Sequence, residues 1–289
     1  MHGMTDLKKA ETFIWSNARL LDRLLYARQF KGGPREPVLA ALAPYQNPDG
    51  GFGNGLEPDL RGPVSQPQPV EFALHILDEL DALREPMVQR ALDYLVSITT
   101  SEGGVPFVLP MAEEYPRAPW WNTGPEPPAS INPTAGVAGL LHKHGLSHPW
   151  LGPATEFCWR SIEAEQERGG YDYLTIFTFL EFVPDRGRAE TAFKRISTEL
   201  LSGDLVTLDP SATEHAFMPL DFAPTPRSPG RALFDDATID RHLDALGARQ
   251  QPDGGWPISW QPPSPLAELE WRGVVTLRVL TILRAYGRL

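Results

Sequence analysis

The sequence predicts an all-α fold built from stacked helical hairpins, and three observations lead there. Apolar residues recur at helical spacing in one segment after another, and no stretch shows a convincing strand alternation. Thirty of the 289 residues are proline, and they sit mostly between those segments, punctuating structure instead of abolishing it. A short glycine-rich motif returns along the chain at intervals of about 50 to 85 residues, the spacing of a repeated helical unit.

The first helix is expected over residues 6–29, with Phe13, Leu20, Leu21 and Leu24 on one face and Gly32-Gly33 as its stop. A short helix follows over 37–45. Residues 68–83 place Val70, Ala73, Leu74, Leu77 and Leu80 on one stripe, and 85–99 carries Pro86 in a first helical turn. Asn132-Pro133 reads as a cap and a proline opening a helix over 134–143. Further helices are expected over 153–168, 171–182, 185–201 and 234–249. The last, over 264–286, is apolar nearly all round, which predicts burial on two sides. The apolar runs 105–109 and 205–208 are short enough for small ribbons. Two long proline-rich loops, 111–131 and 209–231, are of a length that is often functional.

The repeat is Gln46-Asn-Pro-Asp-Gly-Gly-Phe52 and Gln250-Gln-Pro-Asp-Gly-Gly-Trp256, with weaker echoes at 101–107 and 167–171. Glycine can take the positive φ that ends a helix, and Asp can bond nearby amides in the turn. The Gln can reach free backbone groups at an adjacent helix end, while the aromatic packs beneath.

Net charge is −11, which disfavours nucleic acid and anionic lipid surfaces as partners. The single cysteine, Cys158, allows no internal disulfide and fits a reducing, cytoplasmic setting. Residues 1–9 carry no apolar signal core, and the apolar run 274–283 is too short to span a bilayer. Phosphate loops, dinucleotide fingerprints and serine-nucleophile motifs are missing, so no cofactor is expected.

The Gln-x-x-Asp-Gly-Gly-aromatic motif resembles the Gln–Trp repeat of squalene–hopene and oxidosqualene cyclases. It is also similar to the glycine-rich repeats of protein prenyltransferase β subunits. That resemblance implies a single α/α-toroid domain over residues 1–289, a double ring of helices around a cavity for an apolar, isoprenoid-like ligand. The families' reactive residues are not intact here. Their Asp-x-Asp-Asp acid is matched only by Asp235-Asp236, with Leu233 where the leading Asp would stand. Their zinc triad has only a loose echo in Glu156, Cys158 and His215. The crowded His142, His144 and His148 straddle a helix end, so no metal site is expected.

Candidate catalytic carboxylates are Glu57, Asp59, Asp235 and Asp236. The polar segment after the first repeat adds Arg61, Gln66, Gln68 and Glu71 as ligand-binding candidates, since carboxylates near an arginine can act as acid and base or orient a polar group. Trp120, Trp121, Tyr171, Asp172, Trp256, Trp260, Glu270, Trp271 and Arg272 complete the set, as aromatics and charges that could line a cavity. Three functions compete: an isoprenoid-type enzyme or binder, a glycan-active α/α barrel, and a protein-binding scaffold. The sequence leaves catalysis and oligomeric state open.

Overall fold

The computed structural model describes residues 5–212 and 215–289. It is all-α, as expected. Twelve α-helices lie among the described residues, and pairing between extended segments is limited to isolated bridges. The two runs with ribbon character contribute one bridge each, Pro106 with Ala129 and Val206 with Phe217. The residues cluster into two compact units, Leu42–Leu200 and the pair of segments Met1–Ala41 with Leu201–Leu289.

In the two-segment unit, α1 spans Leu7–Asn17 and α2 spans Leu20–Lys31. A single helix over 6–29 is therefore corrected. Ala18 and Arg19 are extended, and Arg19 bonds the Asp22 carboxylate at 2.8 Å while Arg23 bonds the Ala18 carbonyl at 2.7 Å. Side chains thus terminate one helix and start the next without proline or glycine. The break resets the helical register, so α2 buries Leu21 and Leu25 while Leu20 is exposed. Gly32 closes α2 at φ +71, as its sequence position suggests. Residues 36–42 form α3 (Glu36–Leu42) and continue into a 3-10 turn to Tyr45.

The other helices of this unit are α10 (Pro219–Phe222), α11 (Asp236–Ala248) and α12 (Pro265–Ala285). The short α10 lies inside the second proline-rich loop and was not expected. Ser264 caps α12 by accepting from the Ala267 amide. Buried residues surround much of that helix: Ala267, Gly273, Thr276, Leu277, Val279, Leu280, Ile282 and Leu283. It packs on α1, α2 and α11.

In the continuous unit, α4 (Pro67–Glu79), α6 (Ile131–Lys143) and α8 (Gly170–Phe182) lie side by side, with α5 (Pro86–Ile98) against α4 and α7 (Leu151–Glu163) against α6. The expected stripe on α4 is buried throughout. Helix α6 is buried from Ile131 to Leu141, because its Ala and Gly residues allow close approach. At Gly139 a β-carbon would lie 2.7 Å from the Thr178 carbonyl of α8. Helix α7 stops at Glu163, five residues short of the expected 168, because Arg168 folds back to donate to the Ser161, Ile162 and Ala164 carbonyls. The helix α9 (Arg186–Ser202) follows α8.

The glycine motif forms the same turn three times. In each, the amide of Asn47, Thr100 or Gln251 bonds the carbonyl of the second glycine at 2.8–2.9 Å. The first glycine has φ near +90° and meets the backbone of a following or returning helix: Gly50 on Arg90, Gly103 on Pro153, Gly254 on Lys9. The second glycine meets an aromatic ring one helical turn on: Gly51 on Tyr94, Gly104 on Phe157, Gly255 on Phe13. The contact residues are thus spaced i and i+4 on α5, α7 and α1, one face of each helix. Gln46 donates to the Met87 carbonyl in the first turn of α5, and Gln250 exchanges bonds with Asp6 at the start of α1. The fourth echo departs from this pattern. Gly169 keeps a negative φ and caps α8, so 167–171 starts a helix instead of ending one.

Candidate functional site

In the continuous unit the polar segment after the first glycine turn divides into two parts. Residues 57–66 form a packed loop. Glu57 and Asp59 are buried, and the Asp59 amide faces the Glu57 carboxylate at 3.3 Å. Arg61 is half-buried, lies against Gly55 and donates to the Pro58 carbonyl at 3.4 Å. Gln66 accepts from the Leu109 amide at 2.7 Å and donates to its carbonyl, so it staples this loop to the next. Trp121, from the first proline-rich loop, is buried with Leu60, Val108, Ala112 and Ala118, and stacks on Phe107 at 4.9 Å. Trp120 beside it is exposed.

The second part belongs to α4. Gln68 donates to the Asn132 side chain at 2.8 Å, joining α4 to α6. Glu71, one turn on, presses its carboxylate against α6. A β-carbon at position 136 would lie 1.7 Å from its Oε1, so this placement requires Gly136. The Thr175 methyl of α8 borders the same spot, 3.5 Å from that β-carbon position. Four residues beyond Glu71, His75 places Nε2 3.8 Å from the carboxylate. The Glu71 side chain is 10% exposed and that of His75 49%.

Two opposed effects set the His75 imidazole. Burial pulls its pKa down, but the Glu71 carboxylate, with charge from Asp78 and Glu79, outweighs it and holds the imidazole above its ordinary value. From α6, Lys143 and His144 bond Asp78 at 2.7 Å and 2.6 Å. The protonated pair therefore contributes stability below the unfolded pKa, about 6.5, and loses it as pH rises through the raised folded value. Because His75 is half open, the effect on stability is small. The expected result is a His75 NMR titration midpoint above about 6.5 that drops in Glu71→Gln. An unchanged midpoint in that variant would show that Glu71 does not set the charge.

In the two-segment unit, aromatic rings form a chain of contacts. Phe222 meets Phe217 at 6.1 Å, Phe217 meets His215 at 5.9 Å, His215 meets Trp260 at 5.7 Å, and Trp260 meets Trp271 edge to face at 5.3 Å. Trp260 and Trp271 are each half-buried, leaving ring surface accessible. Beside Trp271, Glu270 is half-buried, and Arg272 grips Asp253 through two 2.8 Å bonds while lying 4.6 Å above the Phe13 ring. Trp256 is fully buried, its indole bonded to the Leu246 carbonyl at 2.7 Å. Arg272 and Trp256 therefore fasten the glycine turn, Trp256 from a fully buried position and Arg272 with its side chain 14% exposed.

The remaining candidates are accounted for by helix ends. Asp235 caps α11 by accepting from the Thr238 amide at 2.7 Å, and the Thr238 bonds hold its carboxyl below the usual range. Asp236 is exposed and pairs with Arg231. Asp172 accepts from the Gly169 amide at 2.9 Å, and burial raises its pKa. Tyr171 next to it is exposed. The three clustered histidines have separate partners: His142 with Thr155, His144 with Asp78, His148 with Asp93. Cys158 is buried, and desolvation pushes its thiol far up. Among the described residues no group of three or more His, Cys, Asp or Glu side chains could hold a metal, and no helix is long and apolar enough to cross a membrane.

The structure brings the sequence candidates Gln68 and Glu71 together with Asn132, Gly136, His75 and Thr175, and Trp260 and Trp271 together with His215 and Phe217, none of which the sequence singled out for these groupings. Only His75 carried a signal, its i+4 spacing from Glu71.

No protein-family model matches the chain, and no curated protein matches it. Among solved structures it is similar to a protein from Actinoplanes, with TM-score 0.58 and 17% identity over 97% of this chain and 98% of that one. That likeness shows a shared fold. It is also similar to type II terpene cyclase MstE from Scytonema. The complex with merosterolic acid A (product) gives TM-score 0.47 at 14% identity over 97% of this chain and 87% of that one. The complex with geranylgeranyl dihydroxybenzoate (substrate) gives 0.45 at 14% over 95% and 86%.

Proposed function

We propose that this chain is a single α/α-toroid domain that binds an apolar, isoprenoid-like small molecule. The observation that carries the ligand class is the aromatic chain Phe217–His215–Trp260–Trp271 with its half-open indoles. Accessible aromatic faces stack on unsaturated hydrocarbon, and their quadrupoles favour positive charge. The domain reading draws support from the three similar glycine turns, each gripping a following or returning helix at i and i+4. Catalysis would need an acid other than Asp235 and Asp236, which are committed to a helix end.

Titration with farnesol tests the reading through tryptophan fluorescence. Saturable quenching is expected, weakened about tenfold or more in Trp260→Ala, a loss of at least about 1.4 kcal/mol. Trp120→Ala, altering an exposed indole, should bind as the wild type does. Unsaturable quenching, or equal affinity in Trp260→Ala, would refute the proposed site. Product analysis after incubation with geranylgeranyl substrates separates an enzyme from a binder.

A further inference from the structure

We infer that Glu71 and His75 form a recognition site for the hydrogen-bond-accepting oxygen of an uncharged ligand. The site lies wholly within the α4–α6–α8 layer and does not depend on the aromatic chain. No family pattern points to it.

Three features argue that the pair is more than a fastening. First, its geometry is poor for stability. A carboxylate with 10% of its area exposed faces its imidazole at 3.8 Å, well beyond the hydrogen-bond range of about 2.7–3.2 Å. Arg19–Asp22 in this protein shows what a tight buried pair looks like, at 2.8 Å. Second, α6 gives up helix stability to hold the carboxylate there. Glycine inside a helix costs about 0.5–1 kcal/mol relative to alanine, and position 136 must be glycine for Glu71 to lie where it does. Third, the half of the pair that can donate is the half that is open. In the imidazolium both ring nitrogens carry hydrogen. Nε2 is turned to Glu71, while the His75 side chain as a whole is 49% exposed.

A buried carboxylate beside an accessible imidazole favours its protonated form, and so a hydrogen-bond donor facing solvent. Charge decides the ligand class. The imidazolium and Glu71 cancel, and Asp78 and Glu79 add negative potential on the same helix. With the chain at −11, an anion is disfavoured. What remains is a neutral oxygen, as in an alcohol or ketone, with the Thr175 methyl beside the Glu71 carboxylate as an apolar border.

The test follows the Thr175 methyl signal by NMR at about pH 6, where an unperturbed histidine is already largely protonated. Cyclohexanol is expected to shift it saturably. Cyclohexane at its solubility limit and inorganic phosphate should leave it unmoved. His75→Asn, at a half-exposed position, should weaken the cyclohexanol response at least tenfold, and Glu71→Gln should do so by a similar factor. Trp260→Ala should leave it unchanged, which keeps this result distinct from the farnesol experiment. No response to cyclohexanol, an equal response to cyclohexane, or full affinity in His75→Asn would overturn the assignment. A stronger response to phosphate would replace it with an anion site.

Discussion

Gly254→Ala is expected to destabilise the two-segment unit by about 3–5 kcal/mol, combining backbone strain of about 1–3 kcal/mol with overpacking of similar size. Gly254 has φ +95°, where a side chain is strained, and its β-carbon would lie 2.2 Å from the Lys9 carbonyl oxygen. That oxygen belongs to helix α1 and cannot swing away, so α1 must shift. Asp6 is bonded to Gln250 at the same helix end, and Phe13 packs against Gly255, so the shift disturbs three contacts together. Gly32→Ala is the control, because it has φ +71° with open space around it. It should cost only about 1–2 kcal/mol, the conformational part alone. Urea denaturation of the two variants separates the docking contribution from the φ contribution. Equal losses in both would mean that the contact with α1 contributes nothing.

Gly139→Ala should be comparably severe, about 2–4 kcal/mol, for a reason that involves no unusual backbone angle. Its β-carbon would lie 2.7 Å from the Thr178 carbonyl oxygen, 2.8 Å from that carbonyl carbon and 2.9 Å from the Phe179 amide nitrogen. All three are main-chain atoms of α8, so two helices must separate. The better helix propensity of alanine returns only about 1 kcal/mol. Gly136→Ala, one turn earlier on α6, provides the comparison. There the clash is with Glu71 Oε1, the end of a flexible side chain. Glu71 can rotate away, so stability should change little while the His75 titration midpoint falls. If Gly139→Ala melts with the wild type, the α6–α8 approach is not close-packed in solution.

Helix type and order were legible because each helix carries its own apolar period and most carry their own stop. The break at Ala18–Arg19 was not, since a guanidinium that bonds a carboxylate three residues on leaves no mark in a hydropathy pattern. Arg168 escaped notice for the same reason: its three carbonyl contacts exist only once α7 has formed. The glycine turns were readable to the level of the Gln side chain's partner. The fourth echo misled because Gly-Gly alone does not distinguish a helix end from a helix start. At Gly103 and Gly254 an acidic residue precedes the pair, whereas at Gly169 it is Arg168. For the candidate site, the sequence singled out the segment 57–71 but not how its residues divide between loop and helix. Gln66 and Trp121 are framework, while Glu71 gains its meaning from Gly136 and Thr175, which are 65 and 104 residues away in the chain. Such a juxtaposition is tertiary and has no local signature.

The returning turn at Gly254 has a consequence for how the chain is made. Residues 5–41 leave the ribosome long before 250–255, yet Lys9 and Phe13 meet Gly254 and Gly255, and Asp6 meets Gln250 across 244 residues of sequence. Contacts of such separation form late, since loop closure must precede them. The continuous unit, Leu42–Leu200, has all its chain available before residues 250–255 are made. During translation Lys9 and Phe13 of α1 therefore wait for these contacts until residues 250–255 have emerged. That interval is when a chaperone has a hydrophobic helix to hold, and when a stalled or truncated chain is most exposed to aggregation.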